Sequence, residues 1–275
     1  MEFRTPVAID RPSFSIEPME RILFVGSCFA DHIGQRFAEE KFRVTVNPYG
    51  VMYNPASVLH TIKRISEPFR IVFLTLGTNH VYRLKETGEI VDNCEKRPAV
   101  LFQEKQLSVS ECADYLRQAI ELLRSRCPDV CVVLTVSPIR YRKYGYHGSQ
   151  LSKATLLLAI DKLINTPLPS EGVGGGYPLY YFPAYELLMD ELRDYRFYAA
   201  DMLHPSKQAV EYVWERLSEV IFSDAARQFM AEWQPIKQAL AHKPLNPDSE
   251  EYQRFKDKTM LKVAALREKY STFEL

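Results

Sequence analysis

The chain has 275 residues, 46% of them hydrophobic and 25% charged, with 35 basic and 35 acidic side chains. That is enough apolar material for one large globular domain, or a domain with an appendage, and zero formal charge gives no reason to expect nucleic acid or an anionic membrane as a partner. The five cysteines lack tight spacing, so neither a disulfide framework nor a metal site is expected, and free thiols suit a reducing, cytoplasmic setting.

Residues 1–20 are proline-rich and weakly patterned, an arm on the surface without the basic-then-apolar order of a signal peptide. Arg21 to Val25 is a short apolar run that reads as a buried strand, and Gly26 stops it. Phe29, Ile33 and Phe37 then follow at helical spacing. Arg43-Val44-Thr45-Val46 is a second strand, Asn47-Pro48-Tyr49-Gly50 a turn, and Asn54-Pro55 a helix start with the asparagine as cap. Arg70 to Leu76 is a continuous apolar strand ending at Gly77-Thr78-Asn79-His80, and Val81 to Asp92 is a hairpin around Thr87-Gly88. An amphipathic helix from Ser110 to Arg126 leads to an apolar strand from Val130 to Val136. Residues 139–149 form a polar loop rich in tyrosine and arginine, with a lid or sugar-binding rim as its sharper reading, and Leu151 to Leu163 is helical. Glu171 to Gly176 is a glycine-rich linker without the context of a phosphate loop. Leu179 to Phe182 is the last strand, Pro183 opens a helix to about Arg193, and a loop at 201–205 precedes a helix that Pro205 starts and that runs to Phe222. From Ser223 the pattern is helical, broken at Lys243 to Pro247.

Strands alternating with helices predict a three-layer α/β/α sandwich with a mostly parallel central sheet over residues 1–222 and a helical extension over 223–275. The charged last helix could pack on the same chain, the favoured arrangement, or pair with a second copy in a homo-oligomer. No apolar run reaches membrane-spanning length. Right-handed crossovers place the strand ends before residues 26–29 and 77–80, and the 201–205 loop, on one sheet edge. There, Ser27 or Cys28 can act as nucleophile, and Asp201 and His204, three apart, as orienter and base. Asn79 and the Gly50 N–H are candidate oxyanion donors. Each residue alone has a structural reading: a capping serine, a small buried thiol, a turn asparagine, a loop acid. Their joint order along the chain favours a site for acyl transfer. The other histidines show no ligand spacing, so no metal and no cofactor is expected.

The block Gly26-Ser27-Cys28-Phe29-Ala30 after a strand resembles the signature of the GSCFA family, which is grouped with the SGNH (GDSL-like) hydrolases. The resemblance runs from about residue 20 to about residue 222. Gly50, Gly77-Thr78-Asn79-His80 and Asp201-Met202-Leu203-His204-Pro205 are similar to that superfamily's later blocks. It implies ester or acyl hydrolysis without metal, or acyl transfer, on a small acylated substrate such as an acylated carbohydrate. Register places Cys28 where the superfamily has its serine and Ser27 where it has an aspartate, which favours Cys28. A thiol at a helix N-terminus near a histidine is also a competent nucleophile. His80 stands where an acid is usual. A non-catalytic ligand-binding protein on the same fold is the alternative, since one scaffold serves many functions.

Overall fold

The structure, a computed structural model, describes residues 4–92, 97–165 and 179–275. Cys94 and the glycine-rich 171–176 stretch, taken above as a linker, lie outside the described residues. The centre is a five-stranded sheet of β1 (Arg21–Gly26), β2 (Arg43–Val46), β3 (Ile71–Leu76), β7 (Cys131–Val136) and β8 (Leu179–Tyr181), in the order β2-β1-β3-β7-β8. Every neighbouring pair is parallel, with Phe24 beside Val46 on one side and Phe73 on the other. The strand order reverses between β1 and β3, and such a switch point leaves a crevice at the carboxyl ends of the strands.

Both faces of this sheet are covered, which is why β1, β3 and β7 read as unbroken apolar runs. Alternation along β1 sends Ile22 and Phe24 to one face and Leu23 and Val25 to the other. The first face packs on α1 (Cys28–Glu39), α6 (Lys207–Ile221) and α7 (Asp224–Ala241) through Phe37, Trp214, Phe222 and Phe229. The second packs on α2 (Pro55–Arg64), α3 (Val109–Arg126) and α4 (Gly145–Asn165) through Val58, Ile62, Leu116, Ile120 and Ile160. The arrangement is an α/β/α sandwich, as expected.

The C-terminal helices are tied to the first layer. Trp233 of α7 donates its indole N–H to the Glu39 carbonyl at 3.0 Å. Glu40, buried at the end of α1, accepts from Lys237 at 2.9 Å and Gln234 at 2.8 Å and also pairs with Arg36. The last helix, α8 (Glu250–Lys269), buries Val263 and Leu266, while Tyr270 and Phe273 beyond it close on Phe229.

Several sequence expectations are corrected. The hairpin of β4 (His80–Leu84) and β5 (Ile90–Val91) gains a third strand, β6 (Phe102–Gln106), which pairs antiparallel with β4. Its sequence Phe-Gln-Glu-Lys-Gln carries little apolar signal, so pairing to β4 rather than local pattern makes it a strand. α4 begins at Gly145, inside the segment expected to be a loop. The helix opened by Pro183 is α5 (Ala184–Glu186), which widens into a π-helix over Leu187–Leu192. Ser206, not Pro205, caps α6: its hydroxyl accepts the Ala209 N–H at 3.2 Å. The N-terminal arm is not wholly on the surface, because Ile16 is fully buried and bonds the Ile221 carbonyl.

Candidate active site

β1 ends where it comes closest to β3. Gly26 has φ +148°, and a Cβ there would lie 2.1 Å from the Thr75 carbonyl oxygen, so only glycine lets the chain pass. Ser27 follows in extended conformation as the N-cap of α1. Its hydroxyl accepts the Phe29 N–H at 3.3 Å and lies 3.2 Å from the Thr75 hydroxyl, and its N–H donates to Thr75. The residue is 1% exposed. The Ser27 hydroxyl is therefore inside the protein and engaged in capping, a geometry that does not present it as a nucleophile.

Cys28 is the first residue of α1 and half-buried. Its Sγ lies 3.4 Å from the Tyr53 hydroxyl. Its N–H belongs to the first helical turn, where no intrahelical acceptor exists, and it has no hydrogen-bond acceptor among the described residues. Burial, then the contact with Cys28, push the Tyr53 phenol above its usual range. Tyr53 meets Tyr141 edge-on, and Tyr141 stacks on Tyr144, which stacks on His80. Burial first and Cys28 second push Tyr141 up to about 12. Tyr141 and Tyr144 of the 139–149 segment thus stand beside Tyr53 and His80, and only Tyr146 of the segment's three tyrosines is exposed.

One turn along α1 from Cys28 come Asp31 and His32. Asn47 links this turn to the strand end: its amide donates to Asp31 at 2.6 Å and its carbonyl oxygen accepts the Gly26 N–H at 2.8 Å. His32 presents its ring edge to His204, with centroids 6.4 Å apart. Burial, then the neighbouring His204, lower the His32 imidazole below its ordinary value.

His204 and Asp201 form the tightest pair in the region, with Nδ1 2.5 Å from Oδ2. Asp201 Oδ1 also accepts the main-chain N–H groups of Leu203 at 2.9 Å and His204 at 3.0 Å. These N–H groups, then the His204 ring, hold the carboxyl well below the usual carboxylate range. An ionised Asp201 fixes the proton of His204 on Nδ1 and leaves Nε2 as the basic nitrogen. Among the described residues no hydrogen bond joins Cys28 to His204.

Of the two expected oxyanion donors, Gly50 gives its N–H elsewhere and Asn79 gives one of its two amide N–H groups elsewhere. The Gly50 N–H donates to the Asn47 carbonyl at 2.9 Å, closing the turn after β2, and Gly50 itself is exposed. Asn79 is buried, and its amide donates to the Leu107 carbonyl at 2.7 Å, tying the end of β3 to the start of α3. The Cys28 N–H, at the start of α1, is by contrast without an acceptor among the described residues. Among the described residues no cluster of three or more His, Cys, Asp or Glu side chains could hold a metal ion.

Sequence reasoning missed three residues here. Tyr53 carried no signal, because its contact with Cys28 is made across the turn between two strand-helix units. His32 lay four residues after Cys28, a helical neighbour spacing that could have marked it. Lys153 sat in the apolar stripe of α4 with Leu156, Ile160 and Leu163. It is 2% exposed and donates to the carbonyls of Gly77 and Ser137, both at 2.7 Å, at the ends of β3 and β7. Burial draws its ammonium down to about 7.

Residues 21–71 and 66–217 match the model of the GSCFA family, and residues 233–275 match that of the GSCFA domain protein, C-terminal domain. The chain belongs to the GSCFA family. No curated protein matches this GSCFA chain. Among solved structures it is similar to a protein of Lactobacillus plantarum, with TM-score 0.47 and 12% identity over 76% of this chain and 100% of that one. It is similar to a mutant acetyl esterase solved with acetate ion, with TM-score 0.42 and 10% identity over 81% of this chain and 100% of that one. It is also similar to a carbohydrate esterase family 3 protein from Talaromyces cellulolyticus, with TM-score 0.40 and 8% identity over 78% and 99% of the two chains. Among the described residues of the GSCFA chain, no helix is long and apolar enough to cross a membrane.

Proposed function

We propose that this GSCFA protein cleaves or transfers acyl groups, with Cys28 as nucleophile, His204 as base and Asp201 as the residue that orients it. The observation that carries the reading is the Asp201–His204 pair held against the same helix whose first residue is Cys28. The Cys28 thiol gives its proton to His204 Nε2, and the sulfur attacks the acyl carbonyl. The negative charge on the carbonyl oxygen is met by the Cys28 N–H at the positive end of α1. The alcohol leaves with the proton from His204, and a thioester remains on Cys28. Water, deprotonated by His204, releases the acid, or a second alcohol takes the acyl group and makes the reaction a transfer. The Tyr53 hydroxyl stands beside the sulfur as a donor to its thiolate form.

A panel of p-nitrophenyl esters tests this. The parent and Ser27→Ala should turn over, while Cys28→Ala and His204→Ala, folded by circular dichroism, should not. Iodoacetamide should add one mass increment to the parent that Cys28→Ala lacks. A second reading, a ligand-binding protein on the same fold, draws on the lack of a hydrogen bond between Cys28 and His204. Catalytic hydrogen bonds are often long before substrate arrives. Absence of turnover by the parent over the whole panel would decide for the binder.

A further inference from the structure

Behind the loop that carries Asp201 and His204 lies a cavity of about 280 Å³, walled by Arg140, Lys153, Tyr146, Tyr185, Tyr195 and Tyr198. Arg140 joins it to the candidate active site: its N–H donates to the Leu203 carbonyl at 3.0 Å and its Nη1 to the Met202 carbonyl at 3.1 Å. The cavity is therefore next to the loop that positions His204.

Its chemistry is unusual in two respects. The first is basic side chains without acid partners. The Arg140 guanidinium lies 4.1 Å from the Tyr146 ring centre and 5.4 Å from that of Tyr198, and it pairs with no carboxylate among the described residues. The Lys153 ammonium has two carbonyl acceptors and, among the described residues, neither a third acceptor nor an acid partner. The acidic residue on the cavity wall, Asp194, is already matched by Arg196, whose Nη2 lies 3.0 Å away and whose N–H it also accepts. Arg140 is a half-buried cation at the wall, and burial disfavours the charged form of Lys153, so an anion placed beside both would favour the ammonium. The second is the set of tyrosines. Tyr195 is 66% and Tyr146 49% exposed, flat faces at the rim. Such faces suit the C–H face of a sugar ring, and their hydroxyls suit its edge. The volume, near the lower end of ~300–1,000 Å³ for small-molecule sites, fits one ring with its substituents and not a lipid tail.

We propose that this cavity receives the alcohol part of the acyl substrate, and that this part is an anionic sugar with its carboxylate or phosphate beside Arg140 and Lys153. The proposal rests on the acyl-transfer reading only for the word substrate, since the cavity would bind the sugar without turnover.

Titration calorimetry of the full chain with glucuronate, glucose 6-phosphate and glucose tests it. At least one of the two anionic sugars should bind tenfold or more tightly than glucose, and the stronger of the two identifies the anion. Arg140→Gln should remove the preference for the anionic sugar. Tyr195→Ala, at an exposed position where folding is not at stake, should weaken that sugar about fivefold. Equal binding of glucose and both anionic sugars, no binding of any, or an unchanged preference in a folded Arg140→Gln protein would overturn the proposal. A chain that binds the anionic sugar yet turns over no ester loses the acyl reading and keeps this site. One that turns over esters and binds none of the three keeps the chemistry and loses this site.

Discussion

The Cys28 sulfur and the Tyr53 hydroxyl lie 3.4 Å apart, one at the first residue of α1 and the other just before the cap of α2. The strand-helix units β1-α1 and β2-α2 therefore meet at the proposed nucleophile. Because Tyr53 is held above the usual phenol range, its hydroxyl keeps its proton through the neutral range and can donate to a thiolate. Removing it in Tyr53→Phe takes away a hydrogen bond to a charged group worth about 1.5 kcal/mol, roughly tenfold in rate. Iodoacetamide alkylation followed from pH 6 to 9 should slow by about that factor at neutral pH. An unchanged profile would mean that the hydroxyl only accepts from the thiol and plays no part in its reactivity.

Ser27→Ala should act on stability and leave chemistry alone. The substitution removes the side chain that accepts the Phe29 N–H and approaches the Thr75 hydroxyl. Loss of an N-cap costs about 1 kcal/mol, and a chain of this size should melt about 2–4 °C lower. Thermal unfolding by circular dichroism and ester turnover at a temperature well below the transition check the two halves. A variant that melts as the parent does but turns over nothing would return the nucleophile to Ser27.

The framework was legible because its signals are local. The apolar runs at 22–25, 71–76 and 131–136 mark strands covered on both sides, and Asn54-Pro55 marks α2. What escaped the sequence depends on distant partners. β6 is a strand because β4 lies beside it. Asn79 carries an amide that could face a substrate, but the Leu107 carbonyl, 28 residues on, accepts one of its two N–H groups. Gly50 likewise gives its N–H to the turn it stands in. The start of α4 was hidden by Gly145 and Gly148, which sit in its first turns and read as loop residues. Cys28 stands at the sheet edge because it follows β1, and the 201–205 loop is held near that edge by Arg140, just beyond β7, whose N–H donates to the Leu203 carbonyl.

Asp201→Asn separates orientation from charge. The asparagine can still accept the Leu203 and His204 N–H groups, so the loop should keep its form. It no longer pins the His204 proton on Nδ1, and turnover should fall on the order of a hundredfold or more with KM little changed. In the parent, Asp201 is held so far below its ordinary range that it stays ionised throughout an assay from pH 5 to 9. The acid limb of the rate profile should then not follow this carboxyl. Retention of full turnover in Asp201→Asn would remove the aspartate from the mechanism.

Lys153 gives stability a pH dependence whose sign follows from burial. In the folded chain its pKa is drawn down to about 7, while in the unfolded chain it lies near the ordinary ~10.4. Between those values the unfolded chain holds a proton that the folded chain has released. Unfolding free energy then rises with pH, by at most about 1.4 kcal/mol per unit for this one group. Below pH 7 both states are protonated, and the folded state bears the cost of a buried ammonium. The bonds to Gly77 and Ser137 favour the charged form and reduce the slope below that ceiling. Other groups titrate too, so the informative quantity is the difference between the parent and Lys153→Met. Urea unfolding at half-unit steps from pH 6.5 to 9 should show the parent gaining on the variant as pH rises, because the methionine has no proton to lose. A difference that stays constant over that interval would mean that the ammonium remains charged in the fold, stabilised by its two carbonyls against its burial.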